Sequence, residues 1–563
     1  MAVGRAQNQI RFDDAAALLG ERLPVGSVYH LLAQHGQRLF GDDYFADLFT
    51  DSVKGRPTIP ARVVATVLLL QAYEGLSDRE AVEHLAFDLR WKAAAGLAVD
   101  AEAFHPTVLV GMRNRLRASD RPRRLHDDVL VVARSAGLLR GRKRVIDSTP
   151  LFDAVATQDT VTQLRAAIRK LLTLADIADP ALAAAVGAVL LRDDDYATPG
   201  KPPCDWDDRA ARDALVDALV RDCLAVLGVL QGRELPRPVA EAAELLALVA
   251  GQDVEPAGDG SFRIARKVAR DRMISTVDTQ ARHGHKSRNR TFDGYKAHLA
   301  VDPDDELIDE VAVTAANTPD RHAVADLLTD TDQHDTDQHD SDQHDSDQHD
   351  SDASPADVGQ DQQSTTAEPA APEAGREVFG DSAYADAATL DRLHQAGHTV
   401  HAKVPPTRNS RGLFSKDRFG IDLAAGTVTC PAGHTAPIQP ARTGGGSASF
   451  TAHCAGCPLR RQCTTAKTGR SITIHPREAT LQNARAAQHD PAWQTAYRAN
   501  RPTVERKIAH FVRRRWGGRN ARCRGTTRIL TDVLTRAAAL NLARLATLGL
   551  HHQPTGWALT PAG

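Results

Sequence analysis

The strongest constraint on the fold is a stretch of chain that cannot enter any core. Residues 331–350 consist of four pentads, TDQHD twice and then SDQHD twice, without one apolar side chain. From Thr329 to Glu373 there are fourteen Asp or Glu and no Lys or Arg. Because a repeat of this composition buries nothing, we expect residues 329–373 to be a disordered acidic linker between two parts of a folded core.

Outside that segment the chain is basic. It has 69 Lys or Arg against 72 Asp or Glu, a net charge of −3, and removing the fourteen acids leaves +11. The positive charge is concentrated between Arg498 and Arg528, where eleven Lys or Arg enclose a single acid, Glu505. A solvated helix face explains scattered charges, whereas a block of one sign is typical of a surface that binds a polyanion.

The length of 563 residues exceeds what one core supports, and it predicts several domains. The longest apolar run, around Val63–Leu70, is far too short for a membrane span. Seven cysteines, an odd number spread over a long chain, disfavour a secreted disulfide framework. We therefore expect a soluble protein of the reducing cytoplasm that has no membrane partner.

Residues 1–135 are expected to form an all-helical N-terminal domain that binds DNA. The pattern predicts two helices across a tight turn, namely about Pro60–Tyr73, the turn Glu74–Leu76 and a second helix after it. Ser77 and Glu80 fit a capping box that opens the second helix. This arrangement is typical of a helix-turn-helix, although a purely structural helical hairpin fits the pattern as well. The basic sequence MRNRLR (112–117) favours DNA contact.

The remaining chain alternates strand-like and helical segments on both sides of the acidic linker. Residues 140–328 are expected to hold the first part of a catalytic core and residues 374–549 the second, with a flexible tail at 550–563. The predicted elements are a strand with Asp147 (143–150), a helical insert (about 153–260), a hairpin (294–317), a helix to about 328, a strand that ends at Asp381, a helix (387–395), a strand (399–404), a small cysteine-bearing insert (about 410–475) and late helices (490–548). This succession is typical of an α/β fold with a mixed sheet flanked by helices. No Gly-rich phosphate loop follows a strand, which disfavours a nucleotide-binding fold.

Asp147 and Asp381 each end an apolar strand, and such ends meet when the strands are neighbours in a sheet. Two carboxylates so close repel each other unless a divalent cation bridges them, and Mg²⁺ prefers hard oxygen ligands. Glu505 is the candidate for a third ligand, and three such carboxylates can hold two Mg²⁺ or Mn²⁺ ions for in-line phosphoryl transfer. Taken one at a time, each of these acids could instead cap a helix or form an ion pair. Glu505, for example, could pair with Arg501. Asp386 is expected to cap a helix.

Four segments resemble the DDE transposases of bacterial insertion sequences. They read VIDSTPLFDAVATQDTVTQLR (145–165), TFDGYKAHLAVDPDDELI (291–308), VFGDSAYAD (378–386) and RPTVERKIAHFVRRRWGGRNARCRG (501–525). The stretch GRPTIPARVVATVLLLQAYEGLSDREAVEHLAFDLRW (55–91) is similar to the helical N-terminal domain common in these elements.

This resemblance implies a ribonuclease H-like core in which Asp147, Asp381 and Glu505 form the metal-binding triad. It also implies a DNA transposase that binds the ends of its insertion sequence, cleaves the strands and joins the 3′-hydroxyl ends to target DNA. A non-catalytic DNA-binding repressor and a metal-dependent nuclease of the same fold that joins no strands are the alternatives. The residues that resemble the family's signature around the glutamate are Tyr497, Arg501 and Arg513.

The expected partner is double-stranded DNA, as element ends and as target, bound by a homodimer in the nucleoid. Lys and Arg in the basic regions 263–296 and 498–528 are expected to hold phosphates without reading sequence. Tyr384 either stacks on DNA or packs in the core. The residues predicted to touch DNA are Arg288, Arg290, Lys296, Tyr497, Arg501, Arg506, Lys507, Arg513, Arg514 and Arg515.

A second candidate site consists of the cysteines Cys430, Cys454, Cys457 and Cys463. A Cys-x₂-Cys pair with two further cysteines supplies the four soft ligands that a structural zinc ion needs, and His434 and His453 lie nearby in sequence. Reduced cysteines that only pack are the alternative.

Overall fold

The structure is a computed structural model of the chain. It describes residues 14–49, 58–193, 195–267, 269–287, 289–329, 375–407, 412–513 and 518–560. The predicted acidic linker, apart from Thr329, lies outside these residues, as do Arg288, Arg514 and Arg515. Within the described part of the chain, no helix is long and apolar enough to cross a membrane.

The N-terminal region is built from helices. They are α1 (Ala15–Leu19), α2 (Val28–Leu39), α3 (Ala61–Glu74), α4 (Asp78–Phe87), α5 (Leu89–Ala95), α6 (Thr107–Ala118) and α7 (Arg124–Ser135).

Helices α3 and α4 form the predicted pair across a tight turn. Gly75 ends α3 with a φ of 72°, a left-handed conformation that glycine adopts without a Cβ clash. The predicted capping box opens α4, because the Ser77 hydroxyl accepts the amide of Glu80 at 3.2 Å and the Glu80 carboxylate accepts the amide of Ser77 at 2.8 Å. Helix α3 is buried on every side from Ala61 to Gln71, so it serves as a core helix.

Strand β1 (Lys143–Phe152) opens a central sheet, and a helical region follows it. The elements of this region are α8 (Thr160–Ala178), α9 (Pro180–Gly187), α10 (Arg209–Leu230), α11 (Arg237–Gln252), β2 (Val254–Pro256) and β3 (Phe262–Ile264). Leu164, Leu219 and Leu246, from three of these helices, belong to one apolar cluster. The region therefore has a core of its own, at the place where the helical insert is predicted.

The central sheet is mixed. Its other strands are β4 (Arg282–Ser287), β5 (Arg290–Val301), β6 (Ile308–Ala315), β7 (Glu377–Gly380) and β8 (Thr399–Ala402). The order is β4-β5-β1-β7-β8, and β6 also pairs with β5, beyond the residues that β4 occupies. Strand β5 is antiparallel to β1, β4 and β6, whereas β7 is parallel to β1 and β8 is parallel to β7. The predicted α/β class with a mixed sheet is confirmed.

The second part of the chain completes the layers around this sheet. Its elements, with the short helix α12 that precedes it, are α12 (Val324–Leu328), α13 (Ala387–Gln395), β9 (Gly420–Asp422), β10 (Thr427–Thr429), β11 (Thr435–Pro437), β12 (Gln439–Pro440), β13 (Gly446–Ser449), α14 (Thr451–Cys454), α15 (Arg460–Cys463), β14 (Ser471–Ile474), α16 (Glu478–Ala487), α17 (Pro491–Phe511), α18 (Thr526–Thr547), β15 (Leu550–Gln553) and β16 (Gly556–Leu559). Helix α13 has the predicted bounds, and Asp386 caps it by accepting the amides of Ala388 and Thr389. Pro502 lies inside α17.

Helices cover both faces of the sheet. On one face, Val145 and Leu299 pack with Val504 of α17 and Val533 of α18. On the other face, the core includes Leu327 of α12, together with apolar residues of β1, β5, β7 and α13. Strands β1 and β7 are therefore buried from both sides, as their apolar sequences predict.

Helix α18 belongs to two cores. Its first half, with Val533 and Ala537, packs on the sheet, and its second half, with Leu542 and Leu545, packs among the N-terminal helices. The N-terminal region therefore shares its core with the end of the chain and is not an independent bundle. Residues 550–559, expected to belong to a flexible tail, form the hairpin β15–β16 instead. Trp557 of this hairpin packs against the N-terminal core, an apolar contact that the local sequence does not reveal.

The two ends of the acidic linker lie side by side. The Arg376 guanidinium donates to the backbone carbonyl of Leu328 at 3.1 Å, and Thr399 of β8 donates its amide to the carbonyl of Arg376 at 2.9 Å. The residues that flank positions 330–374 are therefore close to each other in the fold.

We expect residues 330–374 to be dispensable for folding. A Gly-Ser linker of about six residues reaches up to about 20 Å, more than the gap requires. The shortened chain should unfold within a few degrees of the full chain in a thermal melt. A longer deletion, 324–374, is the matched control and should be clearly less stable, because it also removes the buried Val324 and Leu327. Loss of soluble protein on the shorter deletion would contradict the expectation.

Candidate active site

The prediction that Asp147 ends its strand is wrong, because β1 continues to Phe152 by pairing with β5. Asp147 lies within β1, between the neighbouring strands β5 and β7. One carboxylate oxygen accepts the amide of Ser148 at 2.8 Å, and the other accepts Nη2 of Arg501, from α17, at 2.8 Å. The side chain of Asp147 is 16% exposed and that of Arg501 is 10% exposed. The pair is thus a largely buried ion pair that joins the sheet to α17.

Asp381 follows β7 directly and stands beside Asp147. The parallel register pairs Val145 with Phe379, and each aspartate comes two residues after its member of that pair. Asp381 opens a short 3₁₀ turn, Ser382–Tyr384, and its carboxylate accepts the amide of Ala383 at 2.8 Å. The structure therefore brings the two predicted aspartates to one level of neighbouring strands.

Burial raises the pKa of both aspartates. For Asp147, the Arg501 guanidinium opposes this rise and the carboxylate of Asp320 adds to it. For Asp381, the amide of Ala383 opposes the rise, while the charges of Asp147 and Asp320 add to it. Crowded acids of this kind cost free energy to ionise, which a nearby cation offsets. Carboxylates with perturbed pKa values are also a mark of functional sites.

Glu505 lies on α17 one helical turn after Arg501, and its side chain is exposed. Helix α17 packs against β1, β5 and β7, so it approaches the sheet beside both aspartates. Burial raises the pKa of Tyr497. The Arg501 guanidinium opposes this rise, whereas the charges of Asp381 and Glu505 add to it. Glu505 is therefore on the same side of the molecule as the aspartates, more open to solvent than either.

Asp320 is a neighbour of this cluster that the sequence did not indicate. Its carboxylate accepts the hydroxyl of Ser148 at 2.7 Å and Nζ of Lys296 at 2.6 Å. In the sequence, Asp320 follows Thr318-Pro319 and reads as part of a helix start. Only the pairing of β5 with β1, which sets Lys296 opposite Pro150, brings these side chains together.

The donor set around Asp147 and Asp381 suits a hard divalent cation. Carboxylate oxygens are the ligands that Mg²⁺ and Mn²⁺ prefer, and Asp147, Asp381 and Glu505 are the side chains that would hold such ions. In the described residues, however, no three or more His, Cys, Asp or Glu side chains stand in position to hold a metal ion. The metal ligands therefore stay a prediction.

Tyr384 packs in the core rather than facing a ligand. It is 1% exposed, and its hydroxyl lies 3.3 Å from Nδ1 of His298, itself buried in β5. By contrast, Ser382 and Ala383 are exposed beside Asp381. Small exposed residues leave room for a bulky substrate at this carboxylate.

The predicted DNA-contacting residues fall into two groups. Arg501 and Lys507 are buried and Lys296 is half-buried, and all three are paired with acids of the protein, namely Asp147, Glu306 and Asp320. Residues with more exposure are Arg290, Tyr497, Arg506 and Arg513. Tyr497 stacks on Trp493 at 5.1 Å, and Nζ of Lys403 lies 4.7 Å from its ring centroid. Arg506 donates to Glu306 at 2.7 Å. DNA contact by these residues stays a prediction.

The four cysteines of the second candidate site surround one small cavity. It is lined by Cys430, Cys454, Cys457 and Cys463 together with His434, His453, Arg460 and several apolar residues. The two histidine rings stack with centroids 4.7 Å apart. Burial raises the pKa of Cys463. The charge of Arg470 opposes this rise, and the other three cysteines add to it. The four cysteines line the same cavity and form no disulfide. Within the described residues no group of three or more of these side chains stands in position to hold a metal ion, so the zinc site stays a prediction.

Comparisons with known proteins place two segments of the chain in transposase families. Residues 429–546, which include Glu505 and the cysteine group, match the family described as Transposase DDE domain. Residues 19–115, which include α2–α5 and most of α6, match Transposase domain (DUF772). No curated protein and no solved structure gives a significant match to the chain.

The first match covers residues 429–546, less than half of the chain, and shows that this segment is similar to a transposase DDE domain. Together, the two matches indicate a DDE transposase of the insertion-sequence type, which is the resemblance that the sequence motifs carry.

We expect the Asp147–Arg501 pair to show strong coupling in a double-mutant cycle. Arg501→Gln leaves a buried carboxylate without its cation and should cost about 3–5 kcal/mol of unfolding free energy. Adding Asp147→Asn removes that charge and should recover much of the loss. Urea denaturation with EDTA present measures all four proteins.

Arg506→Gln is the matched control on the same helix. Its side chain is 54% exposed and pairs with Glu306, so its loss should cost less than about 1 kcal/mol. Additive costs for the Asp147 and Arg501 substitutions would show that the ion pair carries no specific free energy.

Proposed function

We propose that this chain cleaves DNA at the ends of its insertion sequence and joins the 3′-hydroxyl ends to target DNA by metal-dependent phosphoryl transfer. The observation that carries the proposal is the register of β1 and β7, which sets Asp147 beside Asp381. The match to a transposase DDE domain covers the helix that carries Glu505. The mixed sheet with helices on both faces supports a ribonuclease H-like core.

In this proposal the chain's own residues orient the reacting groups. Asp147 is held by the amide of Ser148 and by Arg501, and Asp381 is oriented by the amide of Ala383. Glu505 completes the acidic set from the solvent side. Two bound Mg²⁺ or Mn²⁺ ions would activate the attacking water or 3′-hydroxyl and stabilise the charge that develops on the phosphate. Basic side chains around the site hold the duplex, and we propose that two copies of the chain act together on the DNA.

The central test is Asp381→Asn. This change keeps the shape of the side chain and its acceptor for the Ala383 amide while removing the charge that would hold a metal. DNA affinity rests on Lys and Arg contacts with phosphate, so end binding and its salt dependence should survive. Cleavage of end-containing DNA with Mg²⁺ should fall by at least about two to three orders of magnitude. A gel shift and a nicking assay measure the two properties on the same preparation.

Asp386→Asn is the matched control, five residues further on. Asp386 caps α13, and asparagine caps a helix about as well as aspartate, so binding and cleavage should both stay near the wild-type values. Unchanged cleavage by Asp381→Asn would refute the metal-site proposal. Cleavage without any joined product would favour a nuclease over a transposase.

We also propose that the cysteine cluster holds a structural zinc ion. Four thiols and two imidazoles line one cavity, which is enough donor groups for tetrahedral zinc, but the side chains would have to turn toward the ion, because no three of them in the described residues are already in position to hold one. Protein purified without chelators should carry about one zinc ion per chain, and Cys457→Ser should lose it and lower the melting temperature. Cys204→Ser, outside the cluster, should change neither. Absence of zinc from the wild-type protein would mean that the cysteines only pack.

A further inference from the structure

A cleft rich in arginine opens between the N-terminal helices and α18. Its volume is about 390 Å³, and we refer to it as the arginine cleft. The charged residues that line it are Arg79 of α4, Arg113 and Arg117 of α6, Arg522, Arg528 of α18, Asp78 and Asp532. Five positive charges thus face two negative ones across the boundary between the two transposase-like segments.

Both aspartates of the cleft are already engaged by arginines. Asp78 accepts two hydrogen bonds from Arg113, at 2.7 and 3.0 Å, and lies 3.5 Å from Arg522. Asp532 pairs with Arg536, one turn further along α18 and outside the cleft lining. These ion pairs thus join both carboxylates to arginines other than Arg117 and Arg528, and the five arginines of the cleft outnumber its two aspartates.

The remaining cations of the cleft are crowded. Burial lowers the pKa of Arg117, and the neighbouring Arg528 and Arg113 add to the lowering. Burial also lowers the pKa of Arg522. The charges of Asp532 and Asp78 oppose this lowering, and the charge of Arg113 adds to it. Like charges held at this density repel each other, and an anion in the cleft relieves that repulsion. A ligand with several negative charges along its length relieves more of it than a single small ion.

The cleft is connected to the strand that carries Asp147. The Phe152 amide, at the end of β1, donates to the carbonyl of Arg519 at 2.7 Å, and the carbonyl of Phe152 accepts the amide of Ala521 at 2.7 Å. Arg519 also reaches the hydroxyl of Thr149, two residues after Asp147, at 3.4 Å. The segment that supplies Arg522 to the cleft is therefore fixed to the candidate active site.

We propose that the arginine cleft binds the phosphate backbone of duplex DNA and so fixes the duplex relative to Asp147 and Asp381. This inference rests on the proposed function and adds a contact surface to it. Arginine is the side chain best suited to phosphate, since its planar guanidinium donates two parallel hydrogen bonds. Arg113 and Arg117 lie one turn apart on α6, so they present their charges along one face of the helix.

The test is the salt dependence of duplex binding by the full chain with EDTA present, so that cleavage plays no part. Arg117→Gln with Arg528→Gln removes two cations from the cleft. The slope of log Kd against log salt concentration should fall by about 2, because each phosphate contact contributes about 0.9, and affinity at low salt should fall about tenfold or more. Fluorescence anisotropy of a labelled end-containing duplex measures both quantities.

Two further variants keep the result interpretable. Arg237→Gln, on α11, is the matched control, because its side chain is 90% exposed outside the cleft; its slope should equal that of the wild type. If the Arg117 variant misfolds in a thermal melt, Arg79→Gln with Arg528→Gln replaces it, since both side chains are exposed. This pair should also lower the slope by about 2.

Three outcomes would overturn the inference in distinguishable ways. If the wild-type chain binds duplex and the cleft variants keep its slope, the cleft assignment fails while the proposed function stands. If the wild-type chain binds no duplex, the proposed function fails as well. If inorganic phosphate displaces the duplex at an ionic strength where chloride does not, the cleft is a site for small anions.

Discussion

The fold depends on one helix that is buried on two sides. Helix α18 packs its first half on the central sheet and its second half among the N-terminal helices. Asn541, near its middle, fixes its position, because the carboxamide accepts the amide of Ile308 and donates to the carbonyl of the same residue, both at 2.8 Å. A buried amide satisfied in this way specifies one register, since a shift of the helix would leave polar groups unpaired.

The candidate active site shows how a rigid sheet can hold charges that repel. Asp147, Asp320 and Asp381 approach each other because strands and a tight turn fix their backbones. Two cations offset part of the cost, Arg501 from α17 and Lys296 from β5. The free energy that keeps these acids together comes from the apolar layers on both faces of the sheet. A divalent cation bound between these carboxylates would lower the remaining repulsion.

Local sequence signals predicted the local structure well. A few adjacent residues were enough to predict the capping box of Ser77 and Glu80, helix α13 and the strand that contains Asp147. Contacts between distant parts of the chain were missed for a physical reason. Asp320 joins the acidic cluster through strand pairing, and the hairpin at 550–559 is held by packing on the N-terminal helices, neither of which has a local signature. Most of the predicted DNA-contact residues are basic side chains, and positive charge by itself does not show that Lys507 is buried beside an acid or that Lys296 is half-buried beside one.

The double role of α18 has a consequence for how the protein is made. A ribosome releases the N-terminal helices early and α18 late, after every strand of the central sheet. Until α18 emerges, the surface that receives Leu542 and Leu545 is an exposed apolar groove on a nascent chain. The N-terminal helices can therefore complete their core only after α18 has been synthesised, so a chain truncated before α18 would expose this groove to chaperones and proteases.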